Sequence, residues 1–200
     1  MQTQWVDIQG EPLACLEYHP DQHRADAILV HGFTGSKEDF DLIAPLLAQR
    51  GYRVITFDNR GQHQSAHSDR SDAYSTNSIA RDVIELVGAF NLERPHLFGH
   101  SLGGVIAQRA VAQAPQIFRS LTLMCSGPKA RPNPPFPIMV RDTFTGMEME
   151  DIWQQYLDKD LTTHPRYALM KKRWLASDLR SVLTHADELI NFTSVLPKVA

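Results

Sequence analysis

The sequence predicts an α/β fold, a doubly wound and mostly parallel sheet followed by a helical block. Three observations carry that prediction. Up to Cys125, short apolar runs alternate with helix-period patterns, as strands joined by crossover helices require. The pentapeptide Gly99-His100-Ser101-Leu102-Gly103 sits where one such run hands over to a helical pattern. Beyond Gly127 the strand texture stops and only helical periodicity continues.

Taken in order, Trp5–Ile8 and Leu13–Tyr18 read as an opening pair of strands around a turn at Gly10-Glu11-Pro12. Ala27–Val30 is a buried strand that runs into His31-Gly32. Phe40, Ile43, Leu46 and Leu47 fall on one face of a helix that Gly51 stops. Tyr52–Phe57 is the next strand, ending at Asp58, and a polar loop follows from Asn59 to Tyr74. A helix started by Asn77 or Ser78 carries Ile79, Val83, Leu86, Val87 and Phe90 at helical spacing. Pro95–Gly99 gives a strand, Leu102–Ala114 a helix and Ser120–Cys125 another strand.

Pro128, Pro132, Pro134, Pro135 and Pro137 then form an exit that suits neither strand nor helix interior. Three helical stripes follow. Ile152, Trp153, Tyr156 and Leu157 make the first, Tyr167 to Leu175 the second, and Leu179, Val182, Leu183, Ala186, Leu189 and Ile190 the third. The expected division is a core over 1–127, a helical lid over 128–195 and the start of a return to the core over 196–200.

Composition narrows the function classes. Two hundred residues with 42% in the hydrophobic set suffice for one sizeable core. A formal charge of −3 gives no electrostatic reason to expect nucleic acid or an anionic membrane. The longest basic cluster, Lys171-Lys172-Arg173, reads as the solvated face of a helix. Cys15 and Cys125 lie in apolar runs and suggest neither a disulfide framework nor a metal knuckle. The first residues lack the charged and apolar regions of a signal peptide, and no run approaches the ~18 apolar residues of a membrane span. A cytoplasmic protein with a small-molecule substrate, no cofactor and no metal is the expectation.

The chemistry centres on Ser101. A serine on a tight strand-to-helix turn presents its hydroxyl above the sheet, and glycines two residues either side let backbone segments approach. The Leu102 amide, in the first helical turn, then points toward a developing oxyanion. His31-Gly32-Phe33-Thr34-Gly35-Ser36 closes an earlier strand, and its Phe33 amide is the natural second donor.

These motifs, with Asp58-Asn59-Arg60-Gly61 and a following Ser65, come in the order and near the spacing of the α/β-hydrolase superfamily, which the whole chain resembles. The resemblance implies an eight-stranded, mostly parallel sheet with a lid after the sixth strand. It also implies Ser101 as nucleophile and the Phe33 and Leu102 amides as the oxyanion hole. His63 stands where the family's loop has its second glycine, which puts that loop's usual conformation in question.

A serine needs a base, and the base an orienting acid. In the family both follow the lid. Here the position after the sixth strand holds Cys125-Ser126-Gly127, with no carboxylate. His31 and His100 belong to motifs whose counterparts are not the base. His63 and His67 lack a third ligand for a metal, His164 and His185 lie in the lid, and His19, His23 and His96 read as surface or strand-edge residues. Neither acid nor base is identified, and Leu121–Met124 would be an exposed sheet edge. The expectation is therefore the N-terminal portion of a longer hydrolase, weakly active or inactive as it stands. Serine at the elbow argues against the aspartate-based dehalogenases and epoxide hydrolases. A small or medium, largely apolar ester, lactone or thioester fits the apolar lid, and the alternative is a non-catalytic ligand-binding or interaction module on the same fold. Lyase or transferase chemistry on the same elbow stays open.

Overall fold

The computed structural model describes residues 2–130, 134–158 and 162–196. Six strands make one sheet: β1 (Gln4–Ile8), β2 (Glu11–Tyr18), β3 (Ala25–Val30), β4 (Tyr52–Phe57), β5 (His96–His100) and β6 (Ser120–Met124). Their spatial order is β1-β2-β4-β3-β5-β6. β4, β3, β5 and β6 run parallel, while β2 is antiparallel to both β1 and β4. Among the described residues β6 pairs with β5 alone, and Met124 at its end is 45% exposed.

Alternation along the strands builds two layers. Ile28 and Val30 of β3 join Ile55 and Phe57 of β4 in a core with α2 (Thr76–Ala89) and α3 (Leu102–Gln113). Ala27 and Leu29 point the other way, onto Phe40 and α1 (Ala44–Ala48). Helices thus cover both faces, as a buried parallel sheet requires.

The expected helix through Phe40 and Leu47 is broken. A 3-10 turn over Lys37–Phe40 and the five-residue α1 replace it, with Pro45 in the first turn of α1. Phe40 is buried, but Ile43 and Leu46 are about half exposed. The apolar spacing was compatible with one helix; Pro45 cannot supply the interior N–H that one helix needs. The cap of α2 is Ser75, not Asn77 or Ser78, and its Oγ accepts from the Ser78 amide at 3.2 Å. Ser75→Ala is expected to cost about 1 kcal/mol, read as a small drop in the thermal midpoint.

A third core belongs to the helical block: α4 (Pro135–Phe144), α5 (Met149–Ile152, continued by a π turn over Trp153–Leu157), α6 (Tyr167–Leu175) and α7 (Leu179–Asn191). Val140, Phe144, Trp153, Trp174 and Val182 fill it. The proline-rich exit does not stay irregular. α4 starts inside it, because Pro135 and Pro137 occupy the first turn, where a missing N–H costs nothing. Pro132 lies outside the described residues, as do 197–200. The block is closed at its neck, where Ala130 N donates to Phe192 O and Ser194 N to Pro128 O, both at 2.7 Å.

The loop from Asn59 to Tyr74 was read as simply polar, yet Asn59, Arg60 and Gln62 are fully buried. Arg60 forks onto Asp82 of α2, with Nε and Nη2 donating at 3.1 and 2.8 Å, and also reaches Glu11 and the Ile8 carbonyl. The start of α7 docks on this loop. Asp178 N donates to Gly61 O at 2.8 Å, and Tyr74 Oη donates to the Asp178 carboxylate at 2.7 Å. Buried charge in this loop is therefore what fixes its path and seats the helical block.

Candidate active site

Ser101 directly follows β5 and caps α3 with φ 52° and ψ −115°, a backbone state that costs about 1–3 kcal/mol for a residue with a side chain. Two hydrogen bonds and two close backbone approaches hold it there. Its amide donates to Met124 O at 2.9 Å, tying the turn to β6, and its carbonyl accepts from Gly104 N at 2.9 Å. A Cβ on Gly99 would stand 2.3 Å from Gly103 O, and one on Gly103 would stand 2.2 Å from Val30 O. The two glycines are thus required by backbone contact, as their spacing around Ser101 predicted. Gly103→Ala is expected to destabilise the fold by several kcal/mol, measured by chemical denaturation, because the obstructing atom is main chain.

Ser101 is not alone in its conformation. Thr34, His63 and Cys125 also have φ near +50°, and they follow β3, β4 and β6. Four left-handed non-glycine residues therefore gather at the carboxyl ends of four parallel strands, the edge of an α/β sheet where ligands bind. Helix α3 begins against the end of β3, beside the His31–Phe33 loop. Neither the Phe33 nor the Leu102 N–H has a protein acceptor among the described residues.

Ser101 lines a cavity of about 240 Å³ with Val105, Ser126, Pro137, Leu189 and Phe192. Cys125 lies on the same wall and is exposed, whereas Cys15 is buried in β2 and its thiol is pushed up to about 12, chiefly by burial.

The histidines are engaged elsewhere. His31 is fully buried, its Nδ1 lies 2.8 Å from Gly32 O, and Nε2 accepts from Asn59 N at 3.0 Å. That pattern requires a neutral ring with the proton on Nδ1, and burial lowers its pKa accordingly. His185 is also fully buried, facing Ser181 Oγ at 3.5 Å, with Nε2 unpartnered among the described residues. Burial first, then nearby His31, lowers it to about 3. His164 accepts from Arg166 N at 3.1 Å and lines a different cavity, with His100 and Met124. Neither helical-block histidine lines the Ser101 cavity.

His63 and His67 do not form a pair. His67 bonds the Ala176 carbonyl at 3.0 Å, while His63 joins Glu38 and Asp58, with donor atoms within 4.8 Å of one another. Sequence spacing gave no sign of this trio. An ammonium already serves it: Lys37 Nζ is 2.8 Å from both Glu38 and Asp58, fully buried, and also donates to Gln64 Oε1 at 2.6 Å. The donor set therefore fits an internal lysine rather than a metal. Burial lowers His63 to about 4, against the pull of Glu38.

Sequence reasoning also missed Arg173. Read as part of a solvated cluster, it instead pairs with Asp39 at 2.5 Å and lines a cavity of about 340 Å³ with Thr34, Met139, Trp153, Met170 and Trp174. Its neighbour Trp174, buried on the same helix, was the available signal.

Comparison with known proteins agrees with this fold. The model of the family described as alpha/beta hydrolase fold matches residues 28–187. The Bacillus subtilis protein named uncharacterized hydrolase YugF is 33% identical over 110 residues, covering 55% of this chain and 40% of that protein. The sn-1-specific diacylglycerol lipase ABHD11 of Danio rerio is 31% identical over 102 residues, covering 50% of this chain and 31% of that protein. The matched stretch thus spans well under half the length of either relative. The crystal structure of a hydrolase from Pseudomonas aeruginosa superposes with a TM-score of 0.77 at 20% identity, covering 97% of this chain and 74% of that one. Strand order, helices on both faces and the family match lead to one conclusion: the chain belongs to the α/β hydrolase fold family.

Proposed function

We propose that Ser101 is the nucleophile of a serine hydrolase acting on a small or medium, largely apolar ester, lactone or thioester. Its Oγ attacks the carbonyl carbon and passes its proton to a base. The developing oxyanion accepts from the Phe33 and Leu102 N–H groups, the leaving group departs with the proton, and water then releases the acyl group from Ser101.

The observation that carries this reading is the Ser101 backbone, held at φ 52° where a strand gives way to a helix. A packing role alone would not call for that strain at a serine. The two unengaged amides supply the complementary donors. In this reading residues 1–127 form the catalytic core and 128–195 the lid over it. Among the described residues neither His31, whose ring nitrogens are both occupied, nor His185, which is fully buried, is placed to serve Ser101 as base. The lipase name of one relative is in keeping with ester chemistry.

The test is turnover of an ester, lactone and thioester panel by the protein that carries this chain. Ser101→Ala is expected to lower kcat by about 10⁴-fold or more. Equal turnover by both proteins would remove Ser101 from the mechanism. Ligand binding with no turnover in either would favour a binding module.

A further inference from the structure

Two cavities flank the start of α4. The Ser101 cavity is bounded there by Pro134 and Pro137. The larger one begins at Thr34 and has Phe136 in its wall. Phe136 lies between Pro135 and Pro137, so a single helical turn separates the two spaces. Its ring meets Phe33 edge-on, with centroids 5.8 Å apart and planes at 60°. Phe33 in turn packs against both the sheet core and the core of the helical block.

We propose that Phe136 is a specificity-determining residue. With Phe33 it forms an aromatic partition between the two cavities, and an unbranched apolar arm of the substrate passes it to lodge between Trp153 and Trp174. This rests on the reading of Ser101 and Phe33 given above, and adds which part of the substrate is selected and by what.

The walls favour an apolar occupant. Trp153, Tyr156, Met170 and Trp174 dominate them, and the one charged group, Arg173, is already paired with Asp39. At about 340 Å³ the space is near the lower end of ligand pockets, fit for a chain or a single ring. Phe136 is free to yield. It is 37% exposed, and because Pro135 and Pro137 have no N–H, the first turn of α4 is closed by Ile138 N donating to Pro134 O at 3.1 Å.

The chain has three tryptophans, and Trp5, on β1, is the exposed one. In a Trp5→Phe background, emission therefore reports from Trp153 and Trp174. Linear 2-alkanones of increasing length are the probes. They have no leaving group, so binding is read whether or not Ser101 is active. The apparent Kd is expected to fall about fourfold per added methylene up to a limiting length. Phe136→Ala is expected to admit branched ketones that the parent rejects, with Phe136→Leu, which keeps apolar packing, intermediate. Met170→Phe narrows the space and is expected to shorten the limiting length. Ser101→Ala should leave the length dependence unchanged, so loss of the nucleophile reading and loss of the cavity reading are separable. Emission that no ketone alters, or the same discrimination against branched ketones in the parent and both Phe136 variants, would overturn the proposal.

Discussion

Asp82→Ala is expected to be among the most damaging substitutions in the chain, at about 3–5 kcal/mol. Arg60 and Asp82 have side chains 0% and 1% exposed, so the variant leaves a guanidinium buried without its forked partner. Glu11 and the Ile8 carbonyl still accept from Nη1 and Nη2, but among the described residues nothing then accepts from Nε. The consequence reaches beyond stability. Arg60 anchors the loop on which Asp178 and Tyr74 seat the helical block, so that block should loosen with it. Urea denaturation of Asp82→Ala beside a double variant, Arg60→Met with Asp82→Leu, separates the two contributions. The double variant, which buries no unpaired charge, should recover most of the loss. Equal losses in both would mean that the fork itself, rather than the stranded charge, carries the effect.

The second large effect is loss of stability in mild acid. His63 and His185 are held at about 4 and about 3, below the ~6.5 of an unfolded imidazole. Across that interval the unfolded chain binds more protons than the folded one, so stability falls as pH falls. It is fully present above about 6.5 and is lost progressively toward the folded values. From pH 6.5 to 5 each histidine contributes a loss of about 2 kcal/mol. Around His63 stand Glu38, Lys37, Lys172 and Arg173; His31 faces His185. Urea midpoints at pH 7.5, 6 and 5 read the slope. His185→Leu should make it shallower by one proton, and an unchanged slope would show that this ring does not titrate on unfolding.

What the sequence made legible follows from short-range chemistry. β4 was expected over Tyr52–Phe57 and forms there, because a run rich in β-branched and aromatic residues bounded by Gly51 and Asp58 leaves little choice. The turn at Ser101 was visible for a similar reason: two glycines at fixed offsets betray a backbone approach that no other residue allows. Long-range polar pairing was not legible. Arg60 meets Asp82 across 22 residues and Lys37 meets Asp58 across 21, and neither pair follows any helical or strand period. Reading the loop after β4 only as polar therefore gave no hint that Arg60 within it is buried and paired. The misread helix before α1 has the opposite cause, since spacing alone was trusted across Pro45. His63 illustrates a mixed case. Its departure from the family's glycine was noticed, and the backbone there still has φ 47°, yet its neighbours Glu38 and Asp58 emerge only from the fold.

One of the lines along which the helical block and the sheet domain meet runs from Thr34 through Phe33 and Phe136 to the cavity beside Ser101. Charge pairs fix the loops beneath it, and strained turns at four strand ends supply its floor. The proposed chemistry depends on one hydroxyl being the reactive atom on that floor. Labelling the protein with a fluorophosphonate and locating the adduct by mass spectrometry addresses it directly. A single adduct on Ser101, absent from Ser101→Ala while Cys125→Ala still labels, is the expected result. An adduct on any other residue, or equal labelling of the Ser101→Ala variant, would contradict it.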